Sequence, residues 1–156
     1  KLESILKVSD GLMVARGDLG LEIPAEEVPI NQKIMVEMAK KARKPIIVAT
    51  QMMESMINNL TPSRAEVNDV ANSVMDGADC IMLSAETSVG KYPCEVVRKI
   101  GKIISSVENT EFGLVKKRKI NIRKDRLITN SICYNAAMLA DGIGASAICT
   151  LTNSGY

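Results

Sequence analysis

Apolar runs begin at residues 12, 46 and 80, a constant spacing. Each run ends in a polar tip: Ala15-Arg16-Gly17-Asp18, Ala49-Thr50-Gln51-Met52 and Leu83-Ser84-Ala85-Glu86. A stretch with helical periodicity follows each tip. A chain that repeats strand, polar tip and helix at one period predicts parallel βα units. Parallel strands point their carboxyl ends the same way, so the three tips are expected on one rim. That rim is where α/β proteins place their sites.

The intervening segments carry start and stop signals. Residues 4–7 predict the last turn of a helix, ended by Asp10-Gly11, with Gly11 suited to a left-handed cap. Pro29 fits the first turn of a helix running to about Arg43, with Ile30, Ile34, Met38 and Ala42 every four residues on its expected inner face. Thr61-Pro62 and the Ser63-x-x-Glu66 capping box start the next helix, with Val67, Val70, Ala71, Val74 and Ala78 as its stripe. Gly77 ends it, and 80–83 is the third strand. Pro93 opens a helix with Val96, Val97, Ile100, Ile103, Ile104 and Val107 expected inward.

The pattern changes after Val107. Residues 108–126 are poor in apolar positions and carry Lys116-Lys117-Arg118-Lys119 and Arg123-Lys124, which predicts a connection between domains. A helix is expected over 127–139, with Ile128, Ile132, Ala136 and Leu139 on one face. Gly142 and Gly144 then turn the chain into a strand at 146–151, before Thr152-Asn153-Ser154-Gly155. The expected domains are 1–113 and 114–156. A closed (β/α)8 barrel takes about 250 residues. Three units therefore predict a partial barrel, a piece of a larger protein.

Composition narrows the chemistry. The chain has 156 residues, 46% of them hydrophobic, and a formal charge of +2. No apolar run reaches the roughly 18 residues of a membrane span, and no signal-peptide core follows the start. The basic run at 116–119 has no interleaved aromatic residue, which argues for a solvated segment over a nucleic-acid site. Cys80, Cys94, Cys133 and Cys149 show no CxxC spacing and are expected to be reduced thiols of an intracellular, cytoplasmic protein. The absence of His argues against zinc and excludes a Ser-His or Cys-His nucleophile pair within the chain. No GxGxxG follows a strand, which disfavours a nicotinamide site.

Several rim residues admit two readings. Asp18 offers carboxylate oxygens to a hard cation, or caps a helix. Thr50 can hydrogen-bond a substrate or the local backbone. Ser84 and Glu86 can relay a proton or orient water, or Glu86 can hold a rim salt bridge. Arg16 can pair with an acid across the rim or on a neighbouring subunit. Gly17, without Cβ, lets backbone amides approach an anion closely.

Residues 9–24, from Ser9-Asp10-Gly11-Leu12 through Ala15-Arg16-Gly17-Asp18-Leu19-Gly20 to Ile23-Pro24, closely resemble a signature of pyruvate kinases. So do Ala49-Thr50-Gln51-Met52-Met53-Glu54-Ser55-Met56, Arg64-Ala65-Glu66-Val67-Asn68-Asp69-Val70-Ala71-Asn72 and Asp76-Gly77-Ala78-Asp79-Cys80-Ile81-Met82-Leu83-Ser84-Ala85-Glu86-Thr87. Ala85 departs from the Gly of many members, with little expected consequence. The resemblance implies the last three βα units of a (β/α)8 barrel, then the start of a truncated αβ regulatory domain. It implies phosphoryl transfer from phosphoenolpyruvate to ADP, giving pyruvate and ATP in glycolysis. It implies Asp18 as a ligand of Mg²⁺ or Mn²⁺, Gly17, Asp18 and Thr50 at the substrate, and Thr50, Ser84 and Glu86 in catalysis. Thr152, Asn153, Ser154 and Gly155 match a loop that holds a phosphorylated sugar effector in regulated members. Arg64, Glu66, Asn68 and Asp69 match a helix in contact with other subunits of a homotetramer. The family's catalytic lysine, second metal-binding carboxylate and K⁺ ligands fall outside the chain, so residues 1–156 alone are expected to be inactive. Two other readings are a silent relative that binds a small carboxylate or a partner, and a different metal-dependent barrel acting on the same three-carbon acids.

Overall fold

The computed structural model describes residues 1–110 and 127–151. The chain divides into two compact units, Lys1–Lys116 and Lys117–Tyr156.

In the first unit the strands are β1 (Leu12–Ala15), β2 (Ile46–Ala49) and β3 (Cys80–Met82). They form one parallel sheet in the order β1-β2-β3, with Val14 opposite Val48 and Val48 opposite Ile81. The helices are α1 (Leu2–Val8), α2 (Arg16–Glu22), α3 (Val28–Ala42), α4 (Arg64–Asp76), α5 (Ala85–Ser88) and α6 (Pro93–Glu108), with short 3-10 turns at Ala25–Glu27 and Glu54–Ile57. Val14, Ile46 and Val48 point to one face and are fully buried with Val36, Ala39, Val70 and Val96 of the helices. Met13, one residue along β1, sits on the opposite face and is half exposed. The helices therefore cover one face of the sheet. In a closed barrel the other face lines the interior.

Local chemistry sets the boundaries. The Ser63 hydroxyl accepts from the Glu66 amide, and the Glu66 carboxylate accepts from the Ser63 amide, so the predicted capping box is formed. Gly77 ends α4 with φ 97°, the left-handed region where a Cβ is unfavourable. Asp79 accepts from the first amide of β2, Ile46, at 2.8 Å. The Lys44 ammonium donates to the carbonyls of Leu6 (2.6 Å) and Ser9 at the end of α1.

Four expectations need correction. Gly11 is not a left-handed cap: α1 ends at Ser9 in extended backbone, and Gly11 is absent from the positive-φ residues. It is glycine because a Cβ there would lie 2.9 Å from the Pro45 carbonyl, which accepts from the Leu12 amide. The buried line of α3 is Gln32, Val36 and Ala39, while Ile30, Ile34 and Ala42 are exposed. Val67 and Val97 are also exposed, and Ser73 is buried instead. Strand β3 stops at Met82, because Leu83 has no ladder partner.

In the second unit the one described element is α7 (Leu127–Gly142), with Ile128, Ile132 and Leu139 exposed. The strand expected at 146–151 is not formed: 147–151 is irregular and has no ladder partner among the described residues.

Candidate functional site

The parallel ladder aligns Ala15 with Ala49 and Ala49 with Met82, so the tips that follow emerge from one end of the sheet. Asp18, Thr50 and Ser84 thus leave consecutive strands through the same rim. After Ala15 the backbone turns at once into α2, which places Gly17 and Asp18 in its first turn. Asp18 is exposed and lines a cleft of about 240 Å³ beside β1, together with Met13, Val14, Ala15, Leu19, Glu22 and Met35.

The Thr50 hydroxyl oxygen accepts from the Gly17 amide at 3.0 Å. The bond joins two rim residues from adjacent units and leaves the hydroxyl proton to donate elsewhere. Thr50 and its neighbour Gln51 have φ of 69° and 53°. A β-branched residue there is strained, and such strain persists only where the surroundings impose it.

The surroundings include Arg16. One guanidinium nitrogen, Nη1, donates to both carboxylate oxygens of Asp69 on α4, at 2.8 and 2.6 Å. The guanidinium also donates to the Thr50 carbonyl (2.7 and 3.2 Å) and the Gln51 carbonyl (3.2 Å), and reaches the Met52 sulfur. The acid across the rim is thus Asp69. Arg16 is largely buried and committed to the turn, which makes it a framing residue.

Glu86 is 2% exposed. One carboxylate oxygen accepts from the Met53 amide (3.3 Å) and the other from the Ser84 amide (3.0 Å). Among the described residues it forms no salt bridge, so it straps the second tip to the third through the backbone. Ser84 is half-buried and begins α5, whose first residue is Ala85. Ala85 has no positive φ, so an alanine fits there without strain.

Beyond the turn, the Glu66 carboxylate accepts from the Ser55 amide (2.6 Å) and hydroxyl (2.5 Å) and from the Ser63 amide (2.7 Å). Burial favours the protonated carboxyl, but the hydrogen bonds from Ser55 and Ser63 outweigh it and hold the group below its ordinary value. The links of Asp69 to Arg16 and of Glu66 to Ser55 escaped sequence reasoning. Each joins residues 11 or 53 positions apart, and no local pattern marks the partner.

The donors suit a hard divalent cation only in part. Asp18 offers an exposed carboxylate and Glu22 lines the same cleft, but no group of three or more His, Cys, Asp or Glu side chains that could hold a metal occurs among the described residues. The loop Thr152-Asn153-Ser154-Gly155 lies outside the described residues.

Successive parallel βα units, helices on one face and polar residues gathered at the strands' carboxyl ends define a segment of an α/β barrel with its site on the usual rim. A family model described as "Pyruvate kinase, barrel domain" matches residues 1–97. The chain is 47% identical over 154 residues to a protein of Mycobacterium intracellulare named pyruvate kinase, and 48% identical over 156 residues to one so named from Thermotoga maritima. In each case 99% of this chain and 32% of the relative are covered. A pyruvate kinase of Corynebacterium efficiens is 49% identical over 154 residues. The chain belongs to the pyruvate kinase family and spans about a third of the length of these relatives.

Proposed function

We propose that this chain forms part of an enzyme that transfers the phosphoryl group of phosphoenolpyruvate to ADP. The P–O bond of the enol phosphate breaks, a bond forms to a terminal oxygen of ADP, and the enolate left behind takes a proton at carbon to give pyruvate. The observation that carries this reading is the placement of Asp18 and Thr50 after adjacent strand ends, where the amide of Gly17, next to Asp18 in the chain, donates to the Thr50 hydroxyl at 3.0 Å.

Each residue then has a role. Asp18 holds the cation, Mg²⁺ or Mn²⁺, which when bound neutralises charge on the transferring phosphoryl group. Gly17 contributes its backbone amide, which donates to the Thr50 hydroxyl at 3.0 Å. Thr50 offers its hydroxyl proton toward the enolate carbon, directly or through water, with Ser84 at the next strand end as a second hydroxyl. Glu86 has both oxygens on backbone amides, so it serves by fixing the Met53 and Ser84 backbones. The remaining family features belong to the same proposal: K⁺ bound by residues outside the chain, a homotetramer with α4 at a subunit contact, allosteric control through the loop at 152–155, and a cytoplasmic setting.

The test is a coupled assay of pyruvate formation in the longer enzyme that carries this segment. Asp18→Ala is expected to lower kcat/KM by at least about 100-fold, the scale of losing a positioned charge at the transition state. Turnover equal to the parent would refute the role of Asp18. A parent that binds phosphoenolpyruvate but turns nothing over would favour the silent relative.

A further inference from the structure

We propose that Glu66 is a positioning residue for Thr50. With Asp69 it forms a two-point clamp by which α4 grips the turn spanning residues 50–57. The proposal rests on the substrate role of Thr50 given above.

Glu66 and Asp69 are three residues apart at the start of α4, so they lie on one helix face. Asp69 holds the near end of the turn by fixing Arg16, which donates to the carbonyls of Thr50 and Gln51. Glu66 holds the far end directly, taking both the amide and the hydroxyl of Ser55. Between these points Met52 and Met53 are fully buried, and Glu86 holds the Met53 amide. The turn is thus fastened along its length, while its first two residues keep positive φ.

Left-handed Thr50 is what brings its hydroxyl to the Gly17 amide at 3.0 Å. An unconstrained turn would relax that residue toward the extended or right-handed regions. Loss of the far anchor leaves the Ser55 amide without its acceptor and lets the turn shift as a unit. Glu66 also closes the capping box with Ser63. A simple helix-stability role and a positioning role must therefore be separated by experiment.

The experiment compares four variants of the longer enzyme that carries this segment, by steady-state kinetics with phosphoenolpyruvate and ADP. Thr50→Ala is the reference for loss of the hydroxyl. Glu66→Ala is expected to lower kcat about 10- to 100-fold with KM for phosphoenolpyruvate within about 3-fold, because a small misplacement costs rate more than binding. Glu66→Gln, whose amide oxygen still accepts from Ser55, is expected to recover most of that rate. Ser63→Ala breaks the capping box but not the grip on Ser55, and is expected to keep kcat within about 2-fold of the parent. If Glu66→Ala yields no soluble protein, Ser55→Ala stands in for it. It removes one bond at the far anchor and leaves the capping box whole, and a fall of about 3-fold or more in kcat supports the clamp. Parental kcat in Glu66→Ala or its stand-in, beside a depressed Thr50→Ala, overturns the clamp. So does an equal loss in Ser63→Ala. Parental kcat in Thr50→Ala overturns the substrate role of Thr50 and, with it, this proposal.

Discussion

At the scale of single residues, the site depends on side chains that hold backbone. Arg16, Glu66 and Glu86 each bind main-chain groups of the turn at residues 50–57. Glu66 gives a pH test. Its carboxyl is held below the ordinary 4.5 in the folded state. A lowered folded value contributes stability above the unfolded value, and that stability is lost as pH falls through the folded one. The difference in thermal midpoint between the parent and Glu66→Gln is therefore expected to be greatest near neutrality and to shrink below about pH 4.5. A difference that stays constant from pH 7 to pH 3 would mean that the charge contributes nothing. Asp18, Thr50 and Ser84 were legible as rim residues because strand ends in a parallel sheet are fixed by the repeat. The identity of Asp69 as the acid for Arg16, and of Ser55 as a partner of Glu66, was not legible, because those links depend on how α4 lies against the sheet.

At the scale of elements, boundaries were easier to read than faces. Pro29, the capping box at Ser63 and Gly77 mark helix ends through local backbone chemistry, and the structure follows them. Faces depend on neighbours. In α3 the sequence offers Ile30, Ile34 and Met38 at regular spacing, yet the buried line runs through Gln32. The Gln32 amide donates to the buried Ser73 hydroxyl of α4 at 3.3 Å, a pairing that hydrophobicity alone cannot reveal. The corrected face predicts an asymmetry in the stability of residues 1–156. Val36→Ala is expected to cost roughly 2 kcal/mol, as for a buried side chain cut back in a packed core. Ile34→Ser is expected to change stability by less than about 0.5 kcal/mol, as at an exposed site. Denaturant melts of the two variants decide the matter, and equal losses would restore the original stripe.

At the scale of the whole molecule, the three parallel strands among the described residues leave β1 and β3 as edges, and Met13 on the face away from the helices is half exposed. Fold class was legible from the repeat alone, because a fixed period of strand, tip and helix admits few architectures. The second unit was less so: a strand needs a partner, and the segment at 146–151 has none among the described residues. The first unit brings the exposed carboxylate of Asp18 and the oriented hydroxyl of Thr50 to the site, and its described side chains form no closed metal-binding group. Residues 1–156 expressed alone are expected to form pyruvate no faster than their own Asp18→Ala variant. Metal-dependent turnover clearly above that control would show that the rim is self-sufficient.

The central claim is that Asp18 and Thr50 serve one reaction at one place. The most direct measurement is a double-mutant cycle on kcat/KM in the longer enzyme, combining Asp18→Ala with Thr50→Ala. Groups that act as a unit are strongly non-additive, so the double variant is expected to lose little beyond the worse single variant. Losses that multiply in full would place the two residues in independent roles and contradict the account.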